Sequence, residues 1–154
     1  LADFGGAGRR FQPLGHTPAG AAVVDDYAHH PTEVAATIAA ARTRAPRRLV
    51  AVFQPHLFSR TAAFAREFGL ALAQADVAVV LDVYPARERA EDFPGVSGLL
   101  IAREAAAHAG GRPVLWMPGF DDAETALRGL LRHDDLVLVL GAGNVDALGR
   151  RIVS

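Results

Sequence analysis

The chain has no cysteine and no lysine among its 154 residues, and only one tryptophan, one methionine and two tyrosines. Without cysteine, disulfides and thiolate chemistry are excluded, which fits a reducing cytoplasm, the expected location. Without lysine, a phosphate loop of the Gly-x-x-x-x-Gly-Lys-Ser/Thr type cannot lie within these residues. If the chain handles a nucleoside triphosphate, another domain must hold the phosphates. All sixteen basic residues are arginine. Arginine and lysine differ mainly at bidentate or stacked sites, so this reads as coding bias in a sequence rich in Ala and Arg. No apolar run approaches the ~20 residues of a membrane span, and the first residues lack a signal-peptide pattern. A formal net charge of −1 gives no reason to expect nucleic acid or an anionic membrane as partner.

Hydrophobic residues make up 51% of the chain, enough for one ordinary core and most simply one domain. The opening Leu1-Ala2-Asp3-Phe4-Gly5 reads as the tail of a helix stopped by glycine, as in a domain cut from a longer protein. Extended runs at 9–14 and 21–24, around Gly15 and Pro18-Ala19-Gly20, predict a hairpin. Pro31 suits a first helical turn, with Thr32 and Glu33 adding capping and dipole support, and the helix should run to about Arg44. The run 49–53 predicts a strand buried on both faces. Ser59 is the expected cap of a helix using Phe64, Phe68 and Leu72. A strand over 77–83, a helix from Ser97 to His108 and a short strand over 114–116 follow. Asp121 or Asp122 should cap a helix through Leu131, before a strand over 136–140 and a final helix over 145–152. Strands alternating with helices of about 10–15 residues predict an α/β, three-layer, Rossmann-like domain with a mainly parallel sheet and an N-terminal hairpin.

In open α/β sheets, ligands bind beyond the carboxyl ends of the strands. The scarce polar residue types gather in that position. Asp25-Asp26-Tyr27-Ala28-His29-His30-Pro31-Thr32-Glu33 follows one strand, and Gln54-Pro55-His56-Leu57-Phe58-Ser59-Arg60 the next. Tyr84-Pro85-Ala86-Arg87-Glu88 and Gly141-Ala142-Gly143-Asn144 follow two others, so four distant segments should share one rim. Phenol and imidazole groups carry hydrogen bonds and protons near neutral pH, and plain turns seldom use them. His29 and His30 are neighbours in an extended segment and point apart, so one metal ion between them ranks below ligand contact or a capping role. His56 and Arg60 lie four apart and share a face if the helix starts early; a solvated surface is the alternative. Gly141 to Asn144 follows the last strong strand, where tight-turn packing is as good a reading as phosphate contact. Residues 88–94 read as a solvated, mobile loop with no assigned chemistry.

These segments, with Gly8-Arg9-Arg10-Phe11-Gln12, Phe53 before Gln54 and Val83 before Tyr84, occur in one order along nearly the whole chain. Together they resemble the C-terminal domain of the Mur ligases, most closely of the members that add alanine. The resemblance implies that residues 1–154 are the third domain of a three-domain ligase of cell-wall precursor synthesis. Its ligands would be UDP-N-acetylmuramate, L-alanine and ATP, with ATP and Mg2+ held mainly by the central domain and the UDP-sugar by the first. It implies ATP contacts at Arg10, Asp25, Asp26 and Tyr27, with Asp25 the better match for the ribose. It implies catalytic positions at Tyr27, His29, His56 and Arg60, of which His29, His56 and Arg60 would also meet substrate. A guanidinium suits the amino acid's carboxylate. Many relatives carry a second arginine after the histidine; here it is Leu57, which leaves Arg60 alone or with a group elsewhere. Two alternatives stay open: a ligase that reattaches recycled peptide, and a nucleotide-binding module without catalysis.

Overall fold

Successive side chains of a strand face opposite ways, and the apolar runs of this chain supply both faces. Leu49, Ala51 and Phe53 enter one core while Val50 and Val52 enter the other; Leu136, Leu138 and Leu140 alternate with Val137 and Val139 in the same way. The computed structural model describes residues 9–154; the expected helix tail over Leu1-Ala2-Asp3-Phe4-Gly5, and Gly8, lie outside the described residues. In chain order the elements are β1 (Gln12–His16), β2 (Ala22–Asp26), α1 (Pro31–Arg42), β3 (Arg48–Phe53), α2 (Phe58–Leu72), β4 (Val77–Val80), α3 (Leu99–His108), β5 (Val114–Trp116), α4 (Phe120–Leu130), β6 (Asp135–Leu140) and α5 (Asp146–Ile152).

The sheet order is β1-β2-β6-β3-β4-β5. Only the β1–β2 hairpin is antiparallel; the other pairings are parallel. One face buries Val34 and Ile38 of α1, Phe68 and Leu72 of α2, and Ile101 and Ala105 of α3. The other buries Ala123 and Leu127 of α4 with Leu148 and Ile152 of α5. The expected α/β, three-layer architecture with its hairpin is therefore present. Its topology also locates a crevice. Strand β6 leads into α5 on one face, while its neighbours β2 and β3 lead into α1 and α2 on the other, so the chain parts above the carboxyl end of β6.

Several boundaries differ from expectation. Strand β4 stops at Val80 rather than continuing to 83. The Asp82 carboxylate accepts the N–H groups of Val83 (2.8 Å) and Gly98 (3.1 Å), which turns the chain away from the sheet. Helix α4 takes Gly119 in its cap position, leaving Asp121 and Asp122 in the first turn, where they still favour the positive end of the dipole. Helix α2 begins one residue before Ser59, with Leu57 at the cap position and a kink at Phe64. Among the described residues, no helix is long and apolar enough to cross a membrane.

Candidate functional site at the carboxyl ends of the strands

The four expected segments do meet on one rim. Gly141 donates its N–H to the Asp26 carbonyl (3.2 Å) and Gln54 donates to the Leu140 carbonyl (3.0 Å), tying the loops after β2, β6 and β3 together. His56 and Tyr84 form a parallel bridge that joins the loops after β3 and β4. The Gln54 amide donates to Asn144 Oδ1 (2.8 Å), while its own Oε1 is buried without a partner. Gly143 makes this packing possible, since a Cβ there would lie 2.6 Å from the Tyr84 ring and 2.7 Å from Gln54 Oε1. The Gly141 to Asn144 turn thus packs tightly between its neighbours.

Arg9, which no sequence motif singles out for a role, ties the rim to the strand ends. Its guanidinium donates to Asp25 (2.9 and 3.4 Å) and to the carbonyls of Gly141 (3.0 Å) and Gly143 (3.1 Å). It also lies 5.3 Å from the Tyr27 ring centroid. Asp25 is 1% exposed. Burial pushes its carboxyl above the usual range, against the pull of Arg9. Asp26, equally buried, accepts the N–H groups of Phe11 (3.0 Å) and Ala28 (2.9 Å), the Thr37 hydroxyl (3.4 Å) and Arg10 (3.5 Å). Both acids are thus committed inward, whereas the Arg10 side chain is 47% exposed. Arg9 and Arg10 lie in a turn and bend before β1, so no strand alternation in the sequence tells which of them faces inward.

Helix α1 starts as a capping box in which Glu33 accepts the N–H groups of His29 and His30. Partial burial opposes the charge, but these bonds, His29 and Arg10 hold the Glu33 carboxyl below its usual range. His29 and His30 do point apart: His30 packs on the Phe64 ring at 5.1 Å, while His29 faces Tyr27 at 5.1 Å and His56 at 6.0 Å. Tyr84, which the sequence places on the rim without a role, stacks on His56 at 5.7 Å and 15°. Four rings therefore run along the rim in the order Tyr27, His29, His56, Tyr84.

The partners fix the imidazole nitrogens. His29 Nδ1 is 3.0 Å from the Tyr27 carbonyl, which can only accept, so Nδ1 carries the proton and Nε2 is left as the basic nitrogen. His56 Nδ1 is 3.3 Å from Arg60 Nη1, which can only donate, so here Nδ1 accepts and Nε2 carries the proton. Burial, then the charge of Arg60, then His29 lower the His56 pKa from its ordinary 6.5. The rim thus presents the Nε2 edge of one imidazole, an N–H donor on the other and a guanidinium side by side. Among the described residues, Arg60 has no carboxylate within ion-pair distance.

The loop at 88–94 is not simply solvated. Glu88 accepts the Ser59 N–H (3.1 Å) and hydroxyl, and Phe93 stacks on Phe58 at 5.9 Å. Ser59 is therefore a hydrogen-bond donor to a distant loop, and its expected role as the cap of α2 is corrected. A hollow of about 260 Å³ lies among Thr17, Pro18, Ala19, Arg128, Leu131 and Ile152, away from the aromatic row.

The aromatic row thus lies along the rim of a single α/β unit, beside its topological switch point. Residues 9–143 match the family described as Mur ligase, glutamate ligase domain, and the chain belongs to that family. Within it, the chain is 50% identical over 157 residues to the UDP-N-acetylmuramate–L-alanine ligase of Mycolicibacterium smegmatis, a match covering 100% of this chain and 31% of that protein. It spans about a third of the length of the curated relatives it matches. Among solved structures, the UDP-N-acetylmuramate-alanine ligase of Thermotoga maritima is similar over 94% of this chain and 29% of that chain, with 26% identity and a TM-score of 0.72. A murein peptide ligase from Psychrobacter arcticus has the same TM-score, 0.72, and the same coverage of 94% and 29%, at 20% identity, a likeness of fold.

Proposed function

We propose that this chain is the C-terminal domain, residues 1–154, of an ATP-dependent ligase that joins L-alanine to UDP-N-acetylmuramate in the cytoplasmic synthesis of peptidoglycan precursor. The observation that carries the reading is the row of Tyr27, His29, His56 and Arg60 along one rim, with a guanidinium at its end that has no carboxylate partner among the described residues. The identity of 50% to an alanine-adding ligase supports the choice of substrate. A murein-peptide ligase shares the fold equally well, but at 20% identity; Tyr27 and the Gln54-Pro55-His56 segment favour alanine addition.

In such a ligase ATP gives its terminal phosphoryl group to the substrate carboxylate and ADP leaves; the neutral amine of alanine then attacks the acyl carbon, loses a proton, and phosphate leaves. The barrier is lowered chiefly by positioning and electrostatics. Arg60 pairs with the alanine carboxylate, which leaves the amine pointing into the row. The free Nε2 of His29 suits uptake of the proton that the ammonium must lose before it can attack. His56 sets the orientation of Arg60. On the nucleotide side, the half-exposed Arg10 and the Tyr27 ring face ATP. Asp25 and Asp26, buried beneath the rim, act on the nucleotide through the Arg9 and Arg10 guanidinia that they hold. The triphosphate and Mg2+ fall to the central domain, since these residues contain no lysine-bearing phosphate loop.

Steady-state kinetics of the full-length enzyme test the assignment. Arg60→Ala should raise the alanine KM by about 100-fold, the upper range for a charged hydrogen bond, with ATP and UDP-sugar constants nearly unchanged. Arg60→Lys should recover only part, because an ammonium keeps the charge without the planar fork. Wild-type alanine kinetics in Arg60→Ala would mean that the carboxylate is held elsewhere.

A further inference from the structure

The first turn of a helix leaves N–H groups without intrahelical partners. In α2 the residue placed to satisfy them is Leu57, which has φ 75 and no side chain that can accept. The acceptor comes from 29 residues further along the chain: Glu88 Oε1 takes the Ser59 N–H at 3.1 Å and Oε2 takes the Ser59 hydroxyl. The loop that delivers Glu88 is itself fastened. Leu57 donates to the Tyr84 carbonyl (2.9 Å), Tyr84 donates to the Pro55 carbonyl (2.8 Å), and Phe93 stacks on Phe58.

The residue after Ser59 is Arg60. A carboxylate beside a guanidinium in an open site would ordinarily pair with it, and Glu88 is near enough for Arg60 to help lower its pKa, after the larger effect of the Ser59 bond. Yet no Arg60–Glu88 pair forms, and the hydrogen-bond partner of Arg60 among the described residues is His56 Nδ1. Both oxygens of Glu88 are instead turned to Ser59.

We infer that Ser59 is a positioning residue for the amino-acid site: by engaging the Glu88 carboxylate, it keeps that carboxylate off Arg60 and leaves the guanidinium to an incoming carboxylate. This deepens the reading of Arg60 given above and rests on it. Without the Ser59 hydroxyl, Glu88 becomes an internal competitor of substrate. A role in helix stability alone makes no such coupling.

The test is kinetic, in the full-length enzyme, with alanine as the varied substrate. Ser59→Ala should raise the alanine KM by about fivefold, the scale of an exposed ion pair, with kcat and the ATP KM little changed. Adding Glu88→Gln should return the alanine KM to within about twofold of wild type, because the competitor's charge is gone. The Ser59→Ala effect should also shrink as salt is raised, since the competing pair is screened. An unchanged alanine KM in Ser59→Ala, or a raised one that Glu88→Gln fails to restore, overturns the inference. Arg60→Ala run alongside separates the two readings: if it raises the alanine KM while Ser59→Ala does not, only the role of Ser59 falls. If Arg60→Ala also leaves alanine use unchanged, the carboxylate receptor itself is wrong.

Discussion

Arg9 and Arg10 are adjacent, yet one is turned inward to Asp25 and the other outward to solvent. Removing the inner one strands a carboxylate that is 1% exposed. Because Arg9 is itself 20% exposed, Arg9→Ala should cost about 2–3 kcal/mol, toward the lower end for a broken buried pair. The loss should depend on pH in a defined sense. The Asp25 pKa, already raised by burial, rises further without Arg9, so its protonated form is tolerated in the fold. The stability difference from wild type should therefore be smallest near and below 3.8, the ordinary value, and grow as pH rises through the folded pKa. Chemical denaturation of both proteins from pH 4 to 7 measures this. His56 offers the opposite sign. Its folded pKa lies below 6.5, so at acidic pH the unfolded chain takes up the proton first and stability falls as pH drops through 6.5. NMR titration of the imidazole protons should find its pKa below 6.5 and moved upward in Arg60→Ala, because the second-largest cause of the depression is gone. The chemical types at the rim were legible in the sequence, since Tyr and His are scarce and clustered. Which nitrogen is free was not, because it depends on how the backbone brings the Tyr27 carbonyl to His29 and Arg60 to His56; which of two arginines faces in depends on Asp25, a distant partner.

At the scale of elements, the sequence pattern located β1–β6 and α1–α5 but not the short 3-10 turn at Ala90–Asp92, and the ends of several elements were decided by groups outside the local sequence. Ser59 has the residue type of a cap and sits in the right neighbourhood, yet the acceptor that serves the start of α2 is Glu88 from another loop. Asp82 ends β4 by hydrogen bonds that reach Gly98. The contact between α2 and α3 is equally nonlocal. A Cβ at Gly69 would lie 2.4 Å from Glu104 Cβ and 2.7 Å from the Ala105 nitrogen. Helix propensity alone would reward Gly69→Ala by about 1 kcal/mol. The clash is with a neighbouring backbone, so overpacking of about 1–3 kcal/mol should prevail. Gly69→Ala should then be destabilised in urea or thermal unfolding; a stabilised variant would mean that the two helices separate at little cost. At the opposite corner, Asp76 joins the end of α1 to the start of β3, accepting from Arg42 (2.9 Å) and the Leu49 N–H (2.7 Å).

At the scale of the molecule, two cores lie on either side of one sheet, and the rim runs along the carboxyl ends of its strands. The isolated chain should fold cooperatively and yet neither hydrolyse ATP nor form an amide bond. Isothermal titration should find weak ATP binding or none, because Arg10 and Tyr27 offer few contacts without a phosphate cradle; submicromolar affinity would overturn this division of labour. The fold class could be read from the alternation of strands and helices, but not the order of strands. A sequence shows that strands exist without showing which are neighbours, and β6, the last in the chain, lies between β2 and β3. That placement governs how the domain can come into being on the ribosome. Until residues 135–140 emerge, the β1–β2 hairpin and the β3–β4–β5 group are two small sheets, each with a bare edge that could pair with another chain. The nascent domain therefore cannot consolidate piece by piece. Its sheet closes only when the final strand enters the gap between β2 and β3.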